Sequence, residues 1–392
     1  MGKTMGEKDG YCDGQNVCRD RADMLGFALQ ESARAAQVSA LLTSSRSRSA
    51  GVPDERGKLA STQAKGRGKA GFLPAAGCVW KDALGECTES RRDRGAKGTT
   101  NPMTGQATSK TFTEAREIKL AHSPDSDDAF MFYALATHKL NTPGYKYTHV
   151  LSDIQALNEA ALTETYDVTA LSFAAYPGLR DKYVLLDCGA SFGENYGPIV
   201  VAPSPMKASE IAGKRVAVPG LKTTAYLTLK LFEPNFEAVV TPFDKILEAV
   251  KSEVVDAGLL IHEGQLLFPQ LGLHRVIDLG AWWHEQTGMP LPLGGNAVRR
   301  ALGPEIGRAI AKTIRDSVEY GLEHREEALN YAMQFARDME TELADKFVGM
   351  YVNKWTLGYG DRGKRAVAEL IARGTAAGLL PGPATVEFLS EE

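Results

Sequence analysis

Ala257-Gly258-Leu259-Leu260-Ile261-His262-Glu263-Gly264-Gln265 is the stretch that decides the fold. Its aliphatic run reads as a strand buried on both faces, the pattern of a parallel sheet. The run ends on His262. In open α/β sheets ligands bind just outside the carboxyl ends of strands, and histidine suits proton transfer near neutrality. The same position also suits a histidine satisfied by a loop carbonyl, so the rest of the chain has to decide.

Outward from that stretch, strands and helices alternate from Glu117 on. Short strands are expected at 118–121, 168–172, 183–187, 199–202, 215–218, 259–262 and 276–279. Helices are expected at 128–138, 153–162, 223–232 and 242–251. After Gly303 the pattern is mostly helical, over 304–324, 326–339, 342–351 and 364–377. This order predicts parallel sheets with helices on both faces. The strands are too many for one compact sheet, so two lobes are expected.

Residues 1–115 differ. They hold 5 of the 31 aromatic residues of the chain, and tracts such as Ser44-Ser45-Arg46-Ser47-Arg48-Ser49 are solvated compositions. The expectation is a low-complexity, largely disordered N-terminal extension, or an early start codon, and no chemistry is assigned to it. Residues 1–116 carry 19 Lys+Arg against 13 Asp+Glu, whereas the remainder carries 26 against 36. An acidic body is a poor nucleic-acid partner, because that role needs a basic surface. No run reaches the roughly 20 apolar residues of a membrane span, and no apolar signal-peptide core stands near the start. A cytoplasmic protein is expected, with neither a membrane nor a nucleic acid as partner. The five cysteines, Cys12, Cys18, Cys78, Cys87 and Cys188, are an odd number with no disulfide framework and no short zinc-knuckle spacing.

Four further motifs stand at strand ends or breaks. Ser123-Pro124-Asp125-Ser126-Asp127-Asp128 puts hydroxyls and carboxylates at a helix start, where they either touch a ligand or cap the helix. Leu171-Ser172-Phe173-Ala174-Ala175-Tyr176 again joins a strand to a helix. Val218-Pro219-Gly220-Leu221-Lys222-Thr223-Thr224-Ala225 offers free amides and two hydroxyls to a carboxylate or phosphate, or has Thr223 as a simple N-cap. It lacks the Gly-Lys-Ser/Thr ending of a P-loop. Leu291-Pro292-Leu293-Gly294-Gly295-Asn296 reads as a crossover or hinge. There is no HExxH pattern. Motifs spread over both halves point to a ligand in a cleft between lobes.

Together, Ser123-Pro124 through Asp128, Leu171 to Tyr176, Val218 to Ala225, Leu260-Ile261-His262-Glu263, Asp278 to Trp283 and Thr287 to Gly294 resemble the 1,4-dihydroxy-6-naphthoate synthase family of futalosine-type menaquinone biosynthesis. The resemblance runs from about Ile118 to about Leu380. It implies an α/β, two-lobed periplasmic-binding-protein type II-like fold, with lobe I at 116–200 plus 292–392 and lobe II at 201–291. It implies a carbon–carbon lyase that converts cyclic dehypoxanthine futalosine, a small carboxylated molecule, to 1,4-dihydroxy-6-naphthoate plus a dihydroxyacetone-like fragment. By the same resemblance His262 is the catalytic general base, Ser172, Phe173, Ala174, Thr223 and Thr224 bind substrate, and neither metal nor organic cofactor is needed. Family members often carry Ser-Pro-Cys-Pro-Asn-Asp where this chain has Asp125, Ser126 and Asp127, which add two carboxylates. The alternatives on the same fold are a non-catalytic small-acid-binding protein and a chorismate dehydratase-like enzyme.

Overall fold

The computed structural model describes residues 115–336, 339–382 and 385–391. The expected N-terminal extension, with Cys12, Cys18, Cys78 and Cys87, therefore lies outside the described residues, save Ala115.

The chain opens with β1 (Arg116–His122), α1 (Ser126–Met131), α2 (Tyr133–Ala136) and β2 (Tyr145–Leu151). The single helix expected over 128–138 is thus two, broken at Phe132, whose φ of −97° and ψ of 7° leave the helical basin. Asp153 starts α3 (Ile154–Ala160) as its N-cap, accepting the Ala156 N–H at 3.0 Å. Next come β3 (Val168–Ser172), β4 (Tyr183–Gly193), β5 (Ile199–Ala202), β6 (Arg215–Val218), α4 (Thr224–Phe232), β7 (Glu237–Val240), α5 (Ile246–Lys251), β8 (Ala257–Leu260), α6 (Gly264–Leu267), β9 (His274–Asp278) and α7 (Leu279–Thr287). The chain then runs through β10 (Leu291–Arg299), α8 (Pro304–Glu323), α9 (Arg325–Ala332), α10 (Thr341–Tyr351), α11 (Lys354–Leu357), α12 (Gly360–Ala376) and β11 (Phe388–Leu389).

The strands form two sheets, ordered β11-β4-β10-β3-β1-β2 and β7-β6-β8-β5-β9. In the second, β8 is buried along its whole length, as its aliphatic run predicts. Leu259 faces Ala225 and Leu229 of α4, whereas Leu260 packs with Ile246 and Val250 of α5. Alternate residues thus enter cores on opposite faces of the sheet. The first sheet is covered by α8, whose Ile310 and Ile314 meet Ile118, Leu120 and Val168.

Two expectations are corrected here. The sheets are mixed rather than parallel, because β10 runs antiparallel to β3 and β4, and β5 runs antiparallel to β8 and β9. These two strands carry the chain into and out of the second sheet, so each enters its sheet from the opposite end. The Pro/Gly segment from Leu291, read as a break at a crossover or hinge, is itself strand, the start of β10. Pro292, which has no N–H to give the ladder, sits at a register shift against β4. The crossovers pass close together: a Cβ on Gly280, at the start of α7, would strike the Tyr196 carbonyl. Among the described residues no helix is long and apolar enough to cross a membrane.

Candidate active site

The carboxyl ends of β1 and β3, strands β4 and β10, and the loops after β6 and β8 converge on one cleft. Its volume is about 130 Å³. One wall carries Ser123, Asp125, Asp127 and Asp128, another Thr223, Thr224 and Ala225, and the floor Ser172, Gly294, Gly295 and Asn296. Ile261 and Tyr351 complete it. No Lys, Arg or His is among the lining residues, which include three carboxylates.

The Ser123–Asp128 loop is held by its own acids. Asp128 accepts the Ser123 N–H at 2.8 Å, and Asp125 accepts the Ser123 hydroxyl at 3.0 Å. Asp125 occupies the N-cap position of α1 without capping it through its side chain, so the capping alternative for Ser126, Asp127 or Asp128 is not what the loop does. Burial pushes Asp127 well above the usual carboxylate range, and Asp128, Asp125 and Glu263 push it further. Burial likewise lifts Asp128, to about 6, against the Ser123 N–H bond that favours its anion.

At the opposite wall Thr223 is the N-cap of α4. Its hydroxyl donates to the Gly220 carbonyl at 2.8 Å and accepts the Tyr226 N–H at 3.2 Å. Its polar capacity is spent locally. Thr224 and Ala225 are first-turn residues whose amides have no intrahelical acceptor, and both line the cleft. The Thr224 hydroxyl accepts the Ala174 N–H at 3.2 Å. Ser172 is gripped by Asn158, which is fully buried: its amide oxygen accepts the Ser172 N–H at 2.9 Å and its Nδ2 donates to the Ser172 hydroxyl at 3.0 Å. The Ser172 Oγ is thus an acceptor toward Asn158 and keeps its proton for the cleft.

Ser172, Thr223 and Thr224 are therefore brought together. The Phe173 side chain lies instead in the core, its ring centroid 5.7 Å from that of Phe192 and 6.0 Å from that of Tyr359. Ala174 meets the cleft only through its bond to Thr224. His262 follows the cleft residue Ile261 and is 6% exposed. Its Nε2–H donates to the Phe243 carbonyl at 2.7 Å, and its Nδ1 accepts the Gly264 N–H at 3.0 Å. Those partners fix the tautomer and leave Nδ1 as the basic nitrogen. Glu263 Oε2 stands 3.6 Å from Nδ1. Glu263 also ties the two sheets together, accepting the Ser126 hydroxyl at 3.2 Å from the other wall. Tyr351 does the same by donating to Gln265 at 2.9 Å.

Sequence reasoning missed Asn158 and Tyr351, and named Asn296 only as the end of the crossover or hinge motif. Asn158 and Tyr351 sit inside ordinary amphipathic helices, and only their three-dimensional neighbours mark them. Among the described residues no group of three or more His, Cys, Asp or Glu is arranged to hold a metal. Cys188 is buried, and burial pushes its thiol up to about 12.

A family described as menaquinone biosynthesis matches residues 118–376. A 1,4-dihydroxy-6-naphthoate synthase of Thermus thermophilus is 45% identical over 267 residues, covering 68% of this chain and 97% of that one. Protein AF1704 of Archaeoglobus fulgidus, known from its crystal structure, is 46% identical with a TM-score of 0.66, covering 68% of this chain and 100% of that one. The alkanesulfonate-binding protein SsuA of Xanthomonas axonopodis pv. citri is 12% identical with a TM-score of 0.56, over 70% of this chain and 97% of that one. At that identity it shows the fold alone, which is that of periplasmic binding proteins. The match to a naphthoate synthase, over nearly that enzyme's whole length, supplies the family: this chain belongs to the 1,4-dihydroxy-6-naphthoate synthase family of menaquinone-biosynthesis enzymes.

Proposed function

We propose that the protein is a lyase acting on cyclic dehypoxanthine futalosine, releasing 1,4-dihydroxy-6-naphthoate and a dihydroxyacetone-like fragment, with His262 as the general base. The observation that carries this is the 45% identity to a named synthase, together with a cleft that has hydrogen-bond donors at one end and a histidine beside it.

The substrate's carboxylate lies at Ser172, Thr224 and the first-turn amides of α4, where a helix start favours an anion. Thr223 shapes that end as the cap, and Phe173 and Ala174 support it from behind. His262 Nδ1 takes a hydroxyl proton from the sugar-derived end. The adjacent carbon–carbon bond breaks, and its electrons pass into the ring that becomes aromatic. For this, Nδ1 must exchange the Gly264 N–H for the substrate, a shift within one short loop. A positioned base of this kind contributes on the order of 10²–10⁴ in rate. Closing the cleft keeps water from the carbanion-like intermediate.

The lobe division at 116–200 plus 292–392 and 201–291 belongs to the same reading. Its support is the sheet membership, with β5 to β9 in the second sheet and the remaining strands in the first.

The experiment is a product assay. Purified protein is incubated with cyclic dehypoxanthine futalosine, and the naphthoate is followed by absorbance and mass. Formation of that product is expected. A folded protein that binds the substrate and leaves it intact overturns the assignment in favour of a binding protein. Turnover of chorismate instead favours a dehydratase.

A further inference from the structure

We propose that the amide oxygen of Asn296 accepts a hydroxyl of the substrate's sugar-derived end and so fixes which way round the substrate lies in the cleft. The proposal rests on the reading above and adds a specificity-determining residue to it.

Asn296 stands in the middle of β10, 2% exposed, and lines the cleft floor. Its Nδ2 donates to the Gly189 carbonyl at 2.8 Å and lies 3.6 Å from the Met131 sulfur. Its Oδ1 is buried and has no donor from the protein. Flipping the amide does not relieve this, because Oδ1 would then face the Gly189 carbonyl, acceptor against acceptor. The oxygen is therefore held as an acceptor by the bond its own nitrogen makes. A buried acceptor without a donor is unfavourable, and an apolar residue in its place would avoid that cost. At the floor of a cleft, a ligand donor is the partner that recovers it.

The sheet sets the distance to the carboxylate end. Across the antiparallel pair Asn296 faces Ala170, and Gly294 faces Ser172. Ser172 is thus the diagonal neighbour of Asn296 on one face of the sheet. Such neighbours stand roughly 7–8 Å apart, about the length of a fused two-ring system. A ligand with a carboxylate on one side of such a ring and hydroxyls on the other can meet both residues at once.

The charges agree with this direction. Helix α1, whose last residue Met131 packs on Asn296, begins with Asp127 and Asp128 at the cleft wall. That end offers acceptors and carboxylates with no cation among the lining residues. It suits the substrate's hydroxyls rather than its carboxylate, while the hydroxyl of Ser172 and the first-turn amides of α4 offer the donors a carboxylate needs.

The test compares two ligands on the full-length protein. One is cyclic dehypoxanthine futalosine. The other is 2-naphthoate, which has the ring and the carboxylate but no hydroxyl. In the Asn296→Leu protein KM for the first rises about five- to tenfold, the loss of one neutral hydrogen bond, while the Kd for 2-naphthoate stays within twofold. Asn296→Ser, whose hydroxyl is too short to reach, gives the same split and serves if the leucine variant fails to fold. Equal weakening of both ligands overturns the proposal, since Asn296 then only supports the cleft. An unchanged KM overturns it too, because the amide oxygen then meets no ligand. If the parent protein makes no product at all, the proposed function itself has failed, a result distinct from either.

Discussion

Asn158→Asp tests how the cleft prepares Ser172. In the parent, Asn158 Nδ2 donates to Ser172 Oγ at 3.0 Å while Asn158 Oδ1 accepts the Ser172 N–H at 2.9 Å. The serine hydroxyl therefore cannot spend its proton on Asn158 and, in the proposed orientation, offers it to the substrate carboxylate. Aspartate keeps the acceptor for the Ser172 N–H but replaces the donor by a second acceptor. The Ser172 proton then turns toward the introduced carboxylate and away from the ligand. A hydrogen bond to a charged group contributes about 1.5–3 kcal/mol, and each 1.4 kcal/mol is about tenfold in affinity. The Kd for an aromatic carboxylate such as 2-naphthoate should accordingly rise roughly ten- to hundredfold, measured by calorimetry. The shape of the site is retained, so kcat at saturation should fall far less. Asn158→Leu is the companion variant. It orphans the Ser172 N–H at a buried site and costs about 1–3 kcal/mol of stability, yet it leaves the Ser172 proton available, so affinity for the acid should drop much less than in Asn158→Asp. If both variants bind the acid as tightly as the parent, Ser172 does not hold the carboxylate and the orientation argued above is wrong.

Other consequences concern stability and the base. His122 Nδ1–H donates to the Ser123 carbonyl at 3.0 Å, which leaves its Nε2 to accept from His149 Nδ1 at 3.1 Å. Burial holds His122 down at about 3 and His149 at about 4, so the stability the neutral pair contributes is present above pH 6.5 and lost as pH falls toward those values. By linkage each histidine costs about 2 kcal/mol by pH 5. His149→Phe should therefore be less stable than the parent at pH 8, where His122 loses its donor, and should close that gap by about 2 kcal/mol at pH 5 in urea titrations. A gap that stays constant contradicts the neutral pair. Trp283 is fully buried with its Nε1–H on the Pro290 carbonyl at 3.1 Å, whereas Trp282 is only partly buried. Trp283→Phe should cost about 2 kcal/mol, from a lost hydrogen bond and a cavity, and Trp282→Phe under about 1 kcal/mol; equal thermal shifts would contradict the packing. A Cβ at Gly264 falls 2.9 Å from His262 Cε1, so Gly264→Ala should displace the imidazole and lower kcat at least tenfold while thermal stability changes little, and an unaltered kcat would contradict the tight fit of that loop.

The parts of this molecule that sequence made legible are those set by local pattern. The aliphatic run before His262 is a fully buried strand because alternate residues enter two cores. Ser172, Thr223 and Thr224 reach the cleft because each follows a strand end. What stayed hidden depends on partners far along the chain. β10 reads as loop because Pro292, Gly294 and Gly295 are poor strand formers; its place is fixed by neighbours β3 and β4, far earlier in the chain. The antiparallel direction of β5 and β10 follows from two crossings between sheets, which no hydrophobic period records. Asn158 and Asn296 look like ordinary polar residues in sequence, and their importance rests on which of their amide atoms are paired. Phe173, in a motif that promised ligand contact, has its ring turned into an aromatic cluster with Phe192 and Tyr359, since side chains alternate across the sheet at that strand end.

In the proposed reaction His262 takes the proton that starts carbon–carbon cleavage. His262→Gln keeps an amide N–H for the Phe243 carbonyl and removes the basic nitrogen. Single-turnover formation of the naphthoate by this variant, with saturating cyclic dehypoxanthine futalosine, should be slower by at least about a hundredfold, with substrate Kd nearly unchanged. A rate within a few-fold of the parent would contradict the account and assign the proton to another group.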